Sequence, residues 1–264
     1  MIAYIMQEWK PGVNPSVYAH LVERYLFNFR LSSDALSNHI PAAWLRPQVF
    51  NGQGVVSFCI LKLHNLTLWP LPSVMGFDTI SCAYRCGVID GSRMFPEPSV
   101  YVVSRNTNAP IISRFAPILF SGAMHMIQTD IMHGAEGIDI SAMYPSGKRL
   151  FAARVRPSRT PEKLDSQLFE SLGSLVNFIK NGASSYTPST QEGSFSRVDL
   201  KEETTYEAVD AKVAYSLLDR QWAEAGLVFD SAVRARTGGQ YRWTYRGRTS
   251  GPTLKELQAA SNAS

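Results

Sequence analysis

Short segments in which apolar and polar residues alternate dominate the pattern along the chain. Such alternation is typical of strands that bury one face. We predict strands over residues 21–31, 54–63, 79–88, 99–105, 123–130, 149–156, 227–233 and 240–245. The Ser/Thr-rich stretch 183–200 carries Tyr186, Phe195 and Val198, which favours exposed strands there over a linker.

Helical spacing is confined to a few segments. One set of apolar residues recurs every three or four positions: Leu164, Leu168, Leu172, Leu175, Val176 and Ile179. This spacing predicts an amphipathic helix over 164–179 that packs its leucine face on a sheet. Shorter helices are predicted over 34–40, over 214–225 and from Pro110 onward.

Many strands and few helices predict a mainly β (α+β) fold, an antiparallel sheet with a few packed helices. We expect a single domain over 1–264, with an N-terminal arm over 1–20 and a flexible tail over 249–264. The apolar segment 66–77 contains Pro70 and Pro72, and proline cannot donate a hydrogen bond to a sheet. That segment is therefore predicted to be a buried loop or lid.

The amino-acid composition limits the classes of ligand and partner that the chain is expected to bind. The chain has 264 residues, 45% of them hydrophobic and 18% charged, as in a folded globular protein. The net charge of +4 permits an anionic small-molecule ligand, whereas the scattered arginines do not predict a nucleic-acid partner. No apolar run is long enough for a membrane span. A homo-oligomer is left open.

Three cysteines, Cys59, Cys82 and Cys86, are an odd number in a long chain, which fits a reducing compartment. The N-terminal residues lack the pattern of a signal peptide, so we expect a cytoplasmic protein. No phosphate-binding glycine loop, nucleophile elbow or dinucleotide fingerprint is present. Cys82 and Cys86 have no second ligand pair at zinc spacing. We therefore expect neither a cofactor nor a metal.

The stretch 99–122 contains the most unusual candidate residue. It reads as a strand, a polar turn and a helix, with Arg105 where the strand ends. No lysine occurs between Lys62 and Lys148. An arginine is not a practical base, but its planar fork can hold a carboxylate or an enolate. Arg105 is thus either a ligand anchor or a structural ion-pair partner.

Two other residues are candidates for proton transfer. Asp78 follows an apolar stretch and opens a strand, so it is either a partly buried acid or a turn cap. His125 lies in an apolar strand and is either a catalyst or a satisfied core residue.

The segment 24-RYLFNFRLSSDALSNHIPAAWL-45 resembles the opening of the acetoacetate decarboxylase-like superfamily, where a strand ending in a basic residue leads into a short helix of the form D-A-L-x-x-x-[IV]-P. The order of the later elements is most similar to the branch of unknown function designated DUF2071. The resemblance implies a curved antiparallel sheet or barrel around an apolar cavity.

The resemblance also implies a difference in chemistry. In the decarboxylases, a lysine in the turn after the strand forms a Schiff base with a β-keto acid. The corresponding position here falls near Ile112 and Ser113, so the imine cannot be carried over. The first acidic position of the family pattern falls near Cys59, and the second corresponds loosely to Asp78.

These observations predict a non-Schiff-base lyase, isomerase or cyclase that acts on an apolar carbonyl compound, such as a polyketide-like intermediate. Asp78, Arg105 and His125 are expected to converge on one cavity as its catalytic groups. Its predicted walls are aromatic: Trp69, Tyr84, Tyr101 and Phe115. The alternatives are a non-catalytic small-molecule-binding protein on the same scaffold and a decarboxylase of β-keto acids.

Overall fold

The computed structural model describes residues 14–235 and 239–250. Its strands are β1 (Ser16–Ser32), β2 (Leu45–Pro47), β3 (Val49–Phe50), β4 (Gln53–Leu68), β5 (Phe77–Asp90), β6 (Glu97–Thr107), β7 (His125–Met126), β8 (Gln128–Gly134), β9 (Gly137–Met143), β10 (Arg149–Pro157), β11 (Ser184–Pro188), β12 (Phe195–Glu202), β13 (Tyr206–Ser216), β14 (Val228–Ala235) and β15 (Gln240–Thr249). Its α-helices are α1 (Ser33–Ser37), α2 (Pro110–Phe120), α3 (Leu172–Asn181) and α4 (Leu217–Gln221), and two 3₁₀ turns span Ser73–Met75 and Ala223–Ala225.

The long strand β1 organises the sheet. One edge of β1 pairs with β4, while the other edge pairs first with β15 and then with β14. Because the order β4–β5–β6–β11–β12–β15 leads back to β1, these strands form a closed ring. The pairings are antiparallel except β6 with β11 and β6 with β7. A closed ring leaves no free edge and encloses an interior.

A large apolar core lies on one face of β1, β4 and β5. The strands β14, β13, β10, β9 and β8 continue the sheet from β1 and cover this face. Aromatic rings join the layers: Phe151 lies 4.8 Å from Phe27 and 4.0 Å from Phe58, measured between ring centroids. This core fixes which side chains of the central strands point away from the ring interior.

A second core lies on the opposite face and includes α3. Ser171 caps α3 by accepting a hydrogen bond from the backbone N–H of Ser174, whose side chain reciprocates. The helix buries Leu175 and Phe178. A Cβ at Gly87 would lie 2.8 Å from the Phe178 ring, so the glycine on β5 is what allows this close approach.

The structure confirms the mainly β prediction but corrects the long helix. The helix begins at Leu172 instead of 164 and ends at Asn181. Before it, the Asp230 carboxylate accepts hydrogen bonds from the Ser166 hydroxyl and from the backbone N–H groups of Gln167 and Leu168. These contacts hold the segment in a non-helical turn while Leu168 remains buried.

Four other boundaries also differ from prediction. The expected arm over 1–20 is wrong for its last residues, because β1 begins at Ser16 and pairs with β15 there. The helix expected over 214–225 is shortened to α4, because β13 continues to Ser216. The helix expected over 34–40 is shortened to α1. The strand expected over 123–130 is split into β7 and β8.

The segment 66–77 is not a buried loop. Its first residues complete β4, and the rest is solvent-exposed, with Val74 86% exposed.

The predicted tail begins within β15, and its remainder, 251–264, lies outside the described residues. The single-domain assignment stays a prediction. Within 14–235 and 239–250, no helix has the length and hydropathy needed to cross a bilayer.

Candidate functional site

The closed ring encloses a cavity of about 210 Å³ on the face opposite the aromatic core. Most of its lining is aliphatic and comes from strands of the ring: Val17, Leu61, Leu63, Val100, Val102, Val198 and Leu200, with Trp243 beside them. Helix α2 contributes one side through Ile112, Ala116 and Phe120. This is room for a small molecule with an apolar body.

Three arginines interrupt this apolar lining: Arg24 on β1, Arg85 on β5 and Arg105 on β6. Arg105 reaches the cavity because β6 is irregular. The register shifts between Tyr84 and Arg85 of β5, leaving one extra residue on β6 before Ser104. Val102 and Arg105 therefore face the same cavity although strict alternation would place them on opposite faces. A β-bulge commonly re-aims side chains in this way near functional sites.

Arg24 is paired with a carboxylate, although its buried Nε has no hydrogen-bond partner among the described residues. It is 1% exposed, and its Nη1 contacts the Glu202 carboxylate and donates to the hydroxyls of Tyr206 (2.6 Å) and Tyr241 (2.8 Å). Burial raises the pKa of Glu202, but the Arg24 guanidinium and the tyrosine hydroxyls outweigh it and lower that pKa overall. The pair therefore stays ionised, and its charges cancel.

Arg85 and Arg105 are not compensated in this way. Among the described residues, the Arg105 Nη2 donates a hydrogen bond to the Ser185 hydroxyl alone, at 3.3 Å, and burial lowers the pKa of Arg105 to about 10. The Arg85 Nε is buried without a hydrogen-bond partner. In the described part of the chain neither guanidinium forms an ion pair with a carboxylate. Unpaired charges are unfavourable where they are even partly buried, so the cavity is electrostatically suited to an anion.

The remaining polar lining is neutral. Burial raises the pKa of the Cys82 thiol, which keeps it protonated at neutral pH. The amide oxygen of Asn106 is buried and has no hydrogen-bond partner. Among the described residues, no carboxylate, imidazole or amine side chain lines the cavity. The site thus offers hydrogen-bond donors and positive charge but no evident base.

The predicted catalytic residues do not converge, and only Arg105 lies in the cavity. The Asp78 side chain is 67% exposed, contacts His64 Nδ1 at 2.6 Å and accepts a hydrogen bond from the backbone N–H of Asn65. It faces solvent because it lies at the end of β5, where the register with β4 breaks. The turn-cap alternative fits this geometry.

His125 is exposed on the short strand β7, with its ring 6.5 Å from the Tyr144 ring. It is neither a buried core residue nor a cavity residue, because β7 pairs only with the end of β6. Of the three predicted catalytic residues, Arg105 alone lines the cavity, beside Arg24 and Arg85, which the sequence analysis did not single out.

None of the four predicted aromatic wall residues lines the cavity. Trp69 is 48% exposed beyond the end of β4. Tyr84 and Tyr101 belong to the aromatic core on the other face, where the Tyr84 hydroxyl donates to the Leu150 carbonyl at 3.0 Å. Phe115 lies on α2, but a different side of that helix borders the cavity. The walls are mostly aliphatic instead, with Phe120 and Trp243 as the aromatic residues of the described lining.

Arg24 and Arg85 were recognisable from one signal. Each is a charged residue inside a predicted strand: Arg85 lies between Tyr84 and Cys86, and Arg24 lies between Glu23 and Tyr25. Charged residues are rarely buried in a sheet without a partner or a function. The partner of Arg24 is more than 170 positions away in the chain, so its pairing was not visible in the sequence.

Comparison with solved structures shows the fold. An acetoacetate decarboxylase from Legionella pneumophila superposes with a TM-score of 0.61 at 9% identity, over 89% of this chain and 88% of that one. MppR, an enduracididine biosynthesis enzyme solved with pyruvate, gives 0.57 at 11% identity, over 92% of each chain. An acetoacetate decarboxylase-like enzyme from Sphingomonas wittichii gives 0.55 at 13% identity, over 91% of this chain and 93% of that one.

No family model and no curated protein matches the sequence. At such low identities the structural likeness establishes the fold alone. It confirms the curved sheet around a cavity that the resemblance implied, and it leaves the chemistry to be argued from the lining.

Proposed function

We propose that the cavity decarboxylates a β-keto acid through a free enolate, a lyase reaction that needs no imine. The observation that carries the proposal is the pair of uncompensated guanidinium groups, Arg85 and Arg105, in an otherwise apolar cavity. An arginine fork in a water-poor site is well suited to an oxygen that gains negative charge.

Decarboxylation fits the lining because it requires an electron sink and not a base. The bond between the carboxyl carbon and the α-carbon breaks, CO₂ leaves, and the electron pair becomes an enolate. A proton from water then adds to the α-carbon and restores the ketone. Arg105 donates hydrogen bonds to the enolate oxygen, where the charge develops.

Isomerisation and cyclisation fit less well. Both begin by removing a proton, and the described lining offers only hydroxyls and thiols for that task. The raised pKa of Cys82 disfavours the thiolate that a base would require. Decarboxylation is therefore the member of the predicted reaction group that the geometry supports best.

The absence of imine chemistry is part of the proposal, as is a place in the DUF2071 branch. No lysine of the described residues lines the cavity. Lys62 lies on β4, but its Nζ is directed to Glu23, at 4.0 Å, and its side chain is 46% exposed. The pyruvate bound to MppR is an anionic carbonyl compound, which supports the same ligand class for this cavity.

The test is CO₂ release from β-keto acids of increasing apolar length. Removal of one donor from an oxyanion site lowers kcat by roughly 10²–10³-fold, and we expect this for Arg105→Gln. Arg154→Gln is the matched control, because Arg154 forms an exposed pair with Asp139 far from the lining. The proposal fails if no acid of the series decarboxylates faster than in buffer, or if Arg105→Gln matches the control.

A non-catalytic binding protein is the second candidate. It is favoured by the lack of an acid–base side chain in the described lining. Such a protein would bind anionic carbonyl compounds stoichiometrically and release them unchanged. Binding with no CO₂ release from any member of the series would select this candidate.

A further inference from the structure

We infer that the substrate is a dianion, a β-keto acid with a second carboxylate that persists through the reaction, and that Arg85 binds this second carboxylate. The inference rests on the proposed function for its reaction and adds the class of substrate. It is carried by the charges of the cavity and by the buried, unpartnered Nε of Arg85.

The charges do not balance with a simple β-keto acid. Arg24 and Glu202 cancel each other, which leaves Arg85 and Arg105 as two unmatched positive charges. A monoanionic acid carries one negative charge throughout, first on its carboxylate and then on the enolate oxygen. One partly buried guanidinium would stay unpaired at every stage, and a second permanent carboxylate removes this imbalance.

Glu202 does not supply the missing charge to Arg85. No ion pair joins the two among the described residues, and Arg85 is the weakest of the influences that lower the pKa of Glu202. Glu202 is instead occupied by Arg24 and by the hydroxyls of Tyr206 and Thr204. A ligand carboxylate is thus the counter-charge that the site lacks.

The positions of the two arginines suit one small molecule. On the paired strands, Arg105 stands opposite Ala83, two residues from Arg85. Such diagonal neighbours are roughly 7–8 Å apart between Cα atoms, and both side chains enter the same cavity. One guanidinium can therefore meet the enolate oxygen while the other meets a carboxylate a few bonds away.

The rest of the cavity receives the uncharged part of the ligand. The wall from β12 and β15, with Val198, Leu200 and Trp243, brings no charged group to the cavity. The expected substrate therefore has both anionic groups at the arginine wall and an aliphatic portion toward β12 and β15.

Two unreactive probes test the inference by calorimetry: glutarate, a dianion, and pentanoate, a monoanion of the same chain length. A hydrogen-bonded charge pair predicts that glutarate binds about 10–100-fold more tightly. In Arg85→Gln the affinity for glutarate should fall to that for pentanoate, while the affinity for pentanoate changes little. Arg154→Gln should change neither value.

Any one of three results would overturn the inference. They are equal affinities for glutarate and pentanoate in the unsubstituted protein, no binding of glutarate, and a preference for glutarate that persists in Arg85→Gln. Arg85→Lys is the second variant if Arg85→Gln does not fold; it retains the charge but loses the fork, and should reduce the preference for glutarate at least several-fold. Turnover of monoanionic acids without a preference for glutarate would leave the proposed function standing and refute the inference. A preference for glutarate that depends on Arg85, with no turnover of any β-keto acid, would leave the carboxylate site at Arg85 standing and refute the proposed reaction.

Discussion

Arg105→Met should make the protein more stable in the absence of ligand. Burial lowers the pKa of Arg105 from its ordinary value to about 10, which corresponds to roughly 3 kcal/mol of destabilisation at neutral pH. The Arg105 side chain is only half-buried, so solvent screens part of this penalty. We therefore expect the free energy of unfolding to rise by about 1–3 kcal/mol. The Ser185 hydroxyl keeps its hydrogen bond to the Val198 carbonyl, so the substitution leaves no hydrogen-bond donor of Ser185 without a partner.

The pH dependence of this gain has a definite sign. The folded-state pKa of Arg105 lies below its unfolded value, so the unfolded state binds more protons between the two values. The penalty is fully present below about pH 10 and shrinks as the pH rises above that value. The difference in stability between Arg105→Met and the unsubstituted protein should be constant near neutrality and narrow above pH 10.

Urea unfolding of the two proteins measures this difference directly. Arg154→Met is the control: it breaks an exposed pair with Asp139 and should lower stability by about 0.2–1 kcal/mol. If Arg105→Met instead loses more than about 1 kcal/mol, Arg105 is a structural partner rather than an anchor held in readiness for an anion.

Three further predictions concern the surroundings of the cavity. Glu202→Gln should lose about 3–5 kcal/mol by urea unfolding at neutral pH, because it leaves Arg24 buried and unpaired. The pKa of Glu202 is lowered from 4.5 in the folded state, so the difference in stability between Glu202→Gln and the unsubstituted protein should have its full size above pH 4.5 and shrink as the pH falls. A difference that does not depend on pH would contradict the ion pair. Asp78→Asn should leave CO₂ release within about twofold of the unsubstituted protein, because the Asp78 side chain is exposed; a larger loss would return a catalytic role to Asp78. Leu175→Ala should lose about 2–5 kcal/mol in thermal or urea unfolding, because Leu175 is fully buried under the sheet, and a loss below 1 kcal/mol would contradict that packing.

Local patterns accounted for much of the fold. The alternation in 54–63, 79–88 and 149–156 located β4, β5 and β10, since one face of each is buried by a core. The helix over 164–179 was misplaced because Asp230, distant in the chain, holds its first half in a turn. The spacing of apolar residues indicates which side chains are buried, and in the first half of 164–179 these side chains are buried by a turn instead of a helix.

The site was less predictable because it depends on register. Tyr84 and Tyr101 were assigned to the cavity although their faces of β5 and β6 belong to the aromatic core. Arg105 reaches the cavity because the register of β5 and β6 shifts beside Ser104, and no turn-forming residue in the sequence predicts this shift. The sheet face of a side chain follows from which strands pair and where their register shifts, and both are long-range properties.

The central claim is that this cavity forms an enolate without an imine, and the fate of the carbonyl oxygen tests it most directly. A β-keto acid labelled with ¹⁸O at its ketone is decarboxylated by the protein in unlabelled water, and the product ketone is analysed by mass spectrometry. An imine expels the ketone oxygen as water, whereas an enolate held by Arg105 keeps it. The account predicts that the product retains its ¹⁸O apart from the exchange seen without protein; complete loss of the label during turnover would contradict it.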